Sequence, residues 1–168
     1  MSFEEVYKKY YNELRLFGRR FDMPTENCAD LLQETFLRYY LELKKGTEFG
    51  NSRAWLYKVF LNQIRNCLSS EKNKTLQAEM ITQNEEIKGS VHDDYTVQEK
   101  QRIVMDAMNC LDERDKEILL LYHQGFSYNE IAGITGTNPG SMGKTISRAI
   151  EKLKNSLKLR YNEMFDKD

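Results

Sequence analysis

A chain of 168 residues, 40% hydrophobic and 30% charged with a net charge of −1, has room for one domain or two small ones with large solvated faces. Two prolines and nine glycines argue against a β-rich or collagen-like chain, and no run approaches the roughly 20 apolar residues of a membrane span. The start, Met1-Ser2-Phe3-Glu4-Glu5, is acidic and then amphipathic, unlike a signal peptide. The cysteines (Cys28, Cys67, Cys110) include no CxxC pair, and His92 and His123 lie far apart in sequence. The expectation is a reduced, cytoplasmic protein with no metal, no cofactor and no membrane insertion.

In chain order, the first predicted helix repeats apolar residues at helical spacing: Phe3, Val6, Tyr10, Leu14, Phe17 and Phe21. Pro24 punctuates, and Thr25 is expected to cap a second helix with the stripe Leu32, Phe36, Tyr39 and Leu43. Lys44–Asn51, with Gly46 and Gly50, reads as a loop. A third helix is predicted over about Ser52–Ser69, burying Trp55, Leu56, Val59, Phe60, Ile64 and Cys67. Three amphipathic helices with short connections make a small bundle. Ser70–Tyr95 is polar, weakly periodic and poor in aromatics, which predicts a linker with at most a transient helix near Leu76–Ile81.

The second half opens with Thr96-Val97-Gln98-Glu99, a capping-box spacing ahead of a helix carrying Val97, Val104, Met108 and Leu111. Asp112 is expected to cap the next helix, which contains Ile118, Leu121 and Tyr122 and ends at Gly125. Ser127-Tyr128-Asn129-Glu130 is a second capping box, opening a short helix through Ile131 and Ile134 that Gly136 can end in the left-handed conformation. Asn138 then caps and Pro139 begins a last helix with the stripe Met142, Ile146, Ala149/Ile150, Leu153 and Leu157. The expected fold class is all-α: two small bundles, 1–69 and 96–161, joined by a linker at 70–95 and followed by a tail at 162–168.

The near-neutral net charge hides a pattern. Phe49–Ser70 carries Arg53, Lys58 and Arg65 with no acid; Asn138–Tyr161 carries six basic residues against Glu151 alone; Glu71–Lys100 holds seven acids against four lysines. Two basic helices flanking an acidic segment suit two nucleic-acid contacts on a tether, although charge runs are commonly solvated helix faces. A short helix, a glycine-containing turn and a longer basic helix make a helix-turn-helix, whose second helix presents its N-terminal half to the major groove. Opposite its core stripe stand Lys144, Arg148 and Lys152, four residues apart, and the N–H groups near Ser141 can meet a phosphate. The alternative is a packing hairpin whose lysines only solvate it. On the third helix Lys58, Asn62, Arg65 and Asn66 share a face: the cations suit phosphates, the amides suit an unstacked base edge, and Tyr57 could stack on a base. Gly143-Lys144-Thr145 resembles the end of a P-loop, but Asn138 stands where the motif needs glycine and a capped helix precedes it instead of a strand. No catalytic constellation emerges, and no enzyme is expected.

Four segments carry a family resemblance. Asp30-Leu31-Leu32-Gln33-Glu34-Thr35-Phe36 resembles the DLVQETF signature of bacterial RNA polymerase sigma factors, and Ala54-Trp55-Leu56-Tyr57-Lys58 with Asn62 resembles the AWLYR-type helix that follows it. Leu111-Asp112-Glu113-Arg114 and Gly125-Phe126-Ser127-Tyr128-Asn129-Glu130-Ile131-Ala132 resemble the LPER and GLSYEEIA signatures. Together, in order and at family spacing, they are similar to the extracytoplasmic-function (ECF) subgroup of the sigma-70 family, over nearly the whole chain outside Ser70–Tyr95.

The resemblance implies region 2 at 1–69 and region 4 at 96–161, with core RNA polymerase, promoter DNA and an anti-sigma factor as partners. It implies polymerase contact through Asp30, Gln33 and Glu34. Promoter −10 contact falls to Tyr57, Lys58, Asn62, Arg65 and Asn66, with Asn62 capturing a flipped base. Promoter −35 contact falls to Ser141, Lys144, Arg148 and Lys152. Gly143 and Thr145 stand where the family usually has a basic residue and an arginine, which implies a weaker or unusual −35 preference. A helix-turn-helix regulator that recruits no polymerase, with the first bundle as a dimerisation domain, is the alternative.

Overall fold

The computed structural model describes the backbone of residues 1–79 and 97–165, and the side chains of 1–74 and 99–160. The described residues form seven α-helices, a short 3-10 turn and no strand, and the chain divides into two compact units, Met1–Lys88 and Gly89–Asp168. The expected capping box at Thr96 lies outside the described residues.

In the first unit, α1 (Phe3–Gly18) starts from a reciprocal cap: Glu5 N–H donates to Ser2 Oγ, and Ser2 N–H donates to Glu5 Oε2 at 2.7 Å. Its stripe Val6, Tyr10, Leu14 and Phe17 is buried. α2 (Thr25–Lys44) begins at Thr25, with Pro24 in the cap position and no side-chain cap bond. Thr25 is therefore the first helical residue and not the cap expected of it, because the fixed φ of Pro24 already sets the chain up for helix entry.

α3 (Ser52–Glu79) packs on both α1 and α2. Asn51 Oδ1 accepts the Ala54 N–H at 3.0 Å, satisfying one open donor of its first turn. Tyr39 stacks on Phe49 at 4.5 Å, both rings meet Trp55, and the Tyr39 hydroxyl lies 2.8 Å from Ser52 Oγ, so the loop after α2 is tied down where α3 begins. The helix runs ten residues beyond the predicted end at Ser69. Residues 70–79 contain neither glycine nor proline, include the helix formers Glu71, Lys72, Lys74, Gln77 and Ala78, and are anchored by Asn27 Nδ2 donating to Glu71 Oε1 at 2.8 Å.

In the second unit α4 (Val97–Asn109), α5 (Glu113–His123) and α6 (Tyr128–Thr135) precede the 3-10 turn Pro139–Ser141 and the long α7 (Met142–Phe165). Asp112 Oδ1 accepts the Asp115 N–H at 2.9 Å as the cap of α5, and Ser127 and Glu130 form a full capping box on α6. α5 is deeply buried: Ile118, Leu119, Leu120 and Leu121 are all inside, against α6 and α7. Tyr122 and Val104, expected in the core, are 43% exposed, since Ala107 and Met108 carry the inner face of α4 and Leu121 that of α5. Gly136 ends α6 at φ +72°, a conformation that clashes for side chains with a Cβ and turns the chain toward α7. Asn138 caps as expected, accepting the Gly140 N–H at 2.9 Å, but the Pro139 it precedes opens the 3-10 turn, and α7 itself starts at Met142.

Candidate nucleic-acid and partner interfaces

Cys28, Leu32, Thr35, Phe36 and Tyr39 of α2 face inward, which puts Asp30 and Gln33 on the solvent side. Glu34 lies half-exposed beside them, in an i,i+4 pair with Arg38 at 2.8 Å. Such an exposed pair holds the α2 surface loosely and leaves the carboxylate available to a partner. Behind this face the Thr35 hydroxyl bonds to Leu31 O at 2.8 Å and to the buried Gln63 Oε1 at 2.7 Å. This link between α2 and α3 joins residues 28 positions apart, beyond the reach of any local sequence pattern.

On α3, Lys58, Asn62 and Asn66 are exposed and Arg65 half-buried, with Arg65 Nη1 donating to Asn62 Oδ1 at 3.2 Å. That bond uses one lone pair of the amide oxygen, and the side chain keeps a second lone pair and its NH2 donors. Tyr57 does not belong with them. Its ring is fully buried, edge-on to Phe17 at 4.9 Å, and its hydroxyl donates to Glu13 Oε1 at 2.9 Å. No base can stack on it, so the role expected of Tyr57 is corrected to a core one. Burial pushes the phenol far above its ordinary value, and the Glu13 carboxylate adds to this. Arg53, counted as a basic charge of this helix, also pairs with Glu13, through Nε at 2.8 Å and through Nη2. Glu13 on α1 is thus the clamp for the start of α3, 40 residues away from Arg53, which the sequence alone did not reveal.

In the second unit Lys144 and Arg148 are exposed on α7, and among the described residues neither forms an ion pair. Ser141, at the end of the 3-10 turn, is exposed; its hydroxyl donates to Asn138 O and its carbonyl accepts from Thr145 Oγ1. Lys152 departs from this group. It pairs with Asp112 at 3.1 Å and with Asp115, and these carboxylates, Asp115 foremost, hold its ammonium above the ordinary lysine value. Eight residues at about 100° each leave Lys152 roughly 80° around the helix from Lys144, enough to turn it onto the start of α5. Lys152 therefore ties α7 to α5 and stands apart from Lys144 and Arg148, with its side chain still 54% exposed. Among the described residues no cluster of His, Cys, Asp and Glu suits a metal ion, and no helix is long and apolar enough to cross a membrane.

The family described as "Sigma-70, region 4" matches residues 101–153, the stretch from α4 into α7. RNA polymerase sigma factor YlaC of Bacillus subtilis is 27% identical over 167 residues, covering 96% of each chain. The ECF RNA polymerase sigma-E factor of Haemophilus influenzae is 25% identical, with 93% of this chain and 87% of the relative covered. These matches support a sigma factor of the sigma-70 family. The relatives that match over nearly the whole chain are named RNA polymerase sigma factors, several of them of the ECF group, which supports a function in transcription initiation. Two solved structures share its fold. One is the sigma factor RpoE of Bartonella quintana, solved with the anti-sigma factor NepR, at a TM-score of 0.72 and 23% identity over 93% of this chain and 96% of that one. The other is CnrH, solved with the cytosolic domain of CnrY, at 0.67 and 21% over 94% and 88%. Sigma factors as a family are not enzymes, and the matches favour the polymerase-recruiting reading over the regulator that recruits none.

Proposed function

We propose that this sigma factor binds core RNA polymerase through the outer face of α2, captures the melted −10 element with α3, and holds the −35 duplex with α7. In this reading residues 1–69 act as region 2 and 96–161 as region 4, with 70–95 connecting them. The observation that carries it is the coexistence, in one chain, of an exposed acid and amide face on α2, an exposed Lys58–Asn62–Asn66 face on α3 and a capped helix-turn-helix with Lys144 and Arg148 outward. Polymerase supplies the chemistry and this chain supplies position, so its place of work is the cytoplasm. An anti-sigma factor is the expected inhibitor, a reading supported by the anti-sigma complex of the RpoE relative. The first test is co-purification with core polymerase followed by transcription from a promoter library.

Asp30→Lys and Glu34→Lys should weaken polymerase binding while leaving the free protein folded, because both carboxylates lie on the solvent side of α2. Competition against the wild-type chain for core polymerase measures this, and equal affinity would remove α2 from the interface. For α7, Arg148→Ala and Lys144→Ala should each weaken duplex binding on all sequences and lower the slope of log affinity against log salt by about one unit. Titrating a promoter duplex at several salt concentrations checks it.

A further inference from the structure

The ring of Tyr128 lies against a bare stretch of α7. Tyr128 is the first residue of α6, held in place by the Ser127 capping box, and it remains 46% exposed. Gly143, the second residue of α7, has no side chain, and its Cβ position stands 3.4 Å from Tyr128 Cε2 and 4.0 Å from Cδ2. The edge of the tyrosine ring therefore covers the place where a side chain at 143 would project, one residue before Lys144. The ring of Tyr122, also exposed, flanks it at 6.2 Å between centroids. A helix-turn-helix presents to DNA the N-terminal part of its second helix, together with the start of the first where it crosses the backbone. Both Gly143 and Tyr128 are at those ends.

We propose that Tyr128 is a DNA-contacting and specificity-determining residue that occupies, on the duplex-facing end of α7, the position Gly143 leaves empty. The proposal rests on the DNA-binding reading of α7 and names a further residue of that same site. The phenol offers one donor and an acceptor to a phosphate oxygen or a base edge, while the ring supplies a flat apolar surface against the sugar or the thymine methyl. It brings no charge, so its contact releases no counterion. That separates Tyr128 from its neighbours: Lys144 and Arg148 act through charge, Tyr128 through a hydrogen bond and shape. A side chain at 143 and the Tyr128 ring compete for one space. An alanine Cβ at 3.4 Å makes ordinary contact, whereas a lysine stem must run past the ring or displace it.

The test uses the full chain assembled with core polymerase, on a duplex selected from a randomised promoter library by the wild-type holoenzyme. Tyr128→Phe should weaken binding by about tenfold, the scale of a lost hydrogen bond to a charged group, and keep the wild-type salt slope. Tyr128→Ala should weaken it further, Gly143→Ala should bind like wild type, and Gly143→Lys should steepen the salt slope and select different sequences. Arg148→Ala, run alongside, reports whether α7 meets DNA at all, and thermal unfolding of each variant excludes loss of fold. If both Tyr128 variants bind like wild type while Arg148→Ala binds weakly, the proposal is wrong and the DNA-binding reading survives. If Arg148→Ala and Lys144→Ala also bind like wild type, the reading of α7 fails and takes the proposal with it.

Discussion

Gly18→Ala is expected to destabilise the N-terminal unit by about 1–3 kcal/mol, and Gly18→Val by more. Gly18 closes α1 at the point where all three helices of the unit meet. Its Cβ position is 2.5 Å from Cys28 Sγ on α2 and 2.8 Å from Phe60 Cζ on α3, distances no real Cβ tolerates. Neither neighbour can withdraw, since Cys28 is 4% exposed and Phe60 fully buried. Alanine is otherwise the better helix former by about 1 kcal/mol, so a net loss identifies the steric cause. Removing the sulfur in Gly18→Ala/Cys28→Ala should restore part of the stability, not all, because the Phe60 ring stays. Trp55 is the sole tryptophan and lies in this unit, so its fluorescence in a urea titration follows the unit's unfolding. An unchanged midpoint for Gly18→Ala would show that the helices are not in contact here.

Tyr57→Ala should cost about 3–5 kcal/mol, as for other buried aromatic rings, and Tyr57→Phe about 1.5–3 kcal/mol for the lost bond to the Glu13 carboxylate. The pair of variants separates two roles. If Tyr57 stacked on a promoter base, Tyr57→Ala would leave the fold intact and impair promoter opening; as a core residue it should impair the fold, while Tyr57→Phe opens promoters normally. The phenol's raised titration adds a pH signature. The fold favours its neutral form, so this contribution is present below the ordinary phenol value near 10 and is lost as the pH climbs above it. In alkaline unfolding the wild-type unit should therefore weaken above about pH 10 more steeply than Tyr57→Phe.

The helical stripes, the Ser127 capping box, the Asp112 cap and the Gly136 turn were open to local reasoning because each is decided within about one helical turn. What escaped it was decided elsewhere in the chain. The Ser2–Glu5 box is the exception: it is local and has the same spacing as the Ser127–Glu130 box, but was read only as an acidic start. Tyr57 looked like one more polar-edged aromatic on a basic helix, yet α3 lies against both α1 and α2, so Leu56, Tyr57, Phe60, Leu61 and Ile64 are buried over a wider arc than a single stripe. Arg53 and Lys152 counted as surface charge until their acids, 40 and 37 residues away, came within reach. The exposed cations not tied to an acid are more sharply placed: Lys58 beside the Asn62 amide on one unit, Lys144 and Arg148 on the other. The continuation of α3 past Ser69 was hidden by its missing apolar period, although its residue types favoured a helix.

In the proposed function the two units divide promoter recognition between duplex holding and strand opening. Permanganate footprinting of open complexes formed by pre-assembled holoenzyme, with wild type, Asn62→Ala and Arg148→Ala beside duplex binding of each, tests it most directly. Asn62→Ala should bind the duplex like wild type but lose thymine reactivity in the −10 region, the amide contact being worth about 1–3 kcal/mol. Arg148→Ala should instead bind the duplex weakly and, once saturated, melt it normally. An Asn62→Ala holoenzyme that opens the promoter as wild type does would contradict a strand-opening role for α3.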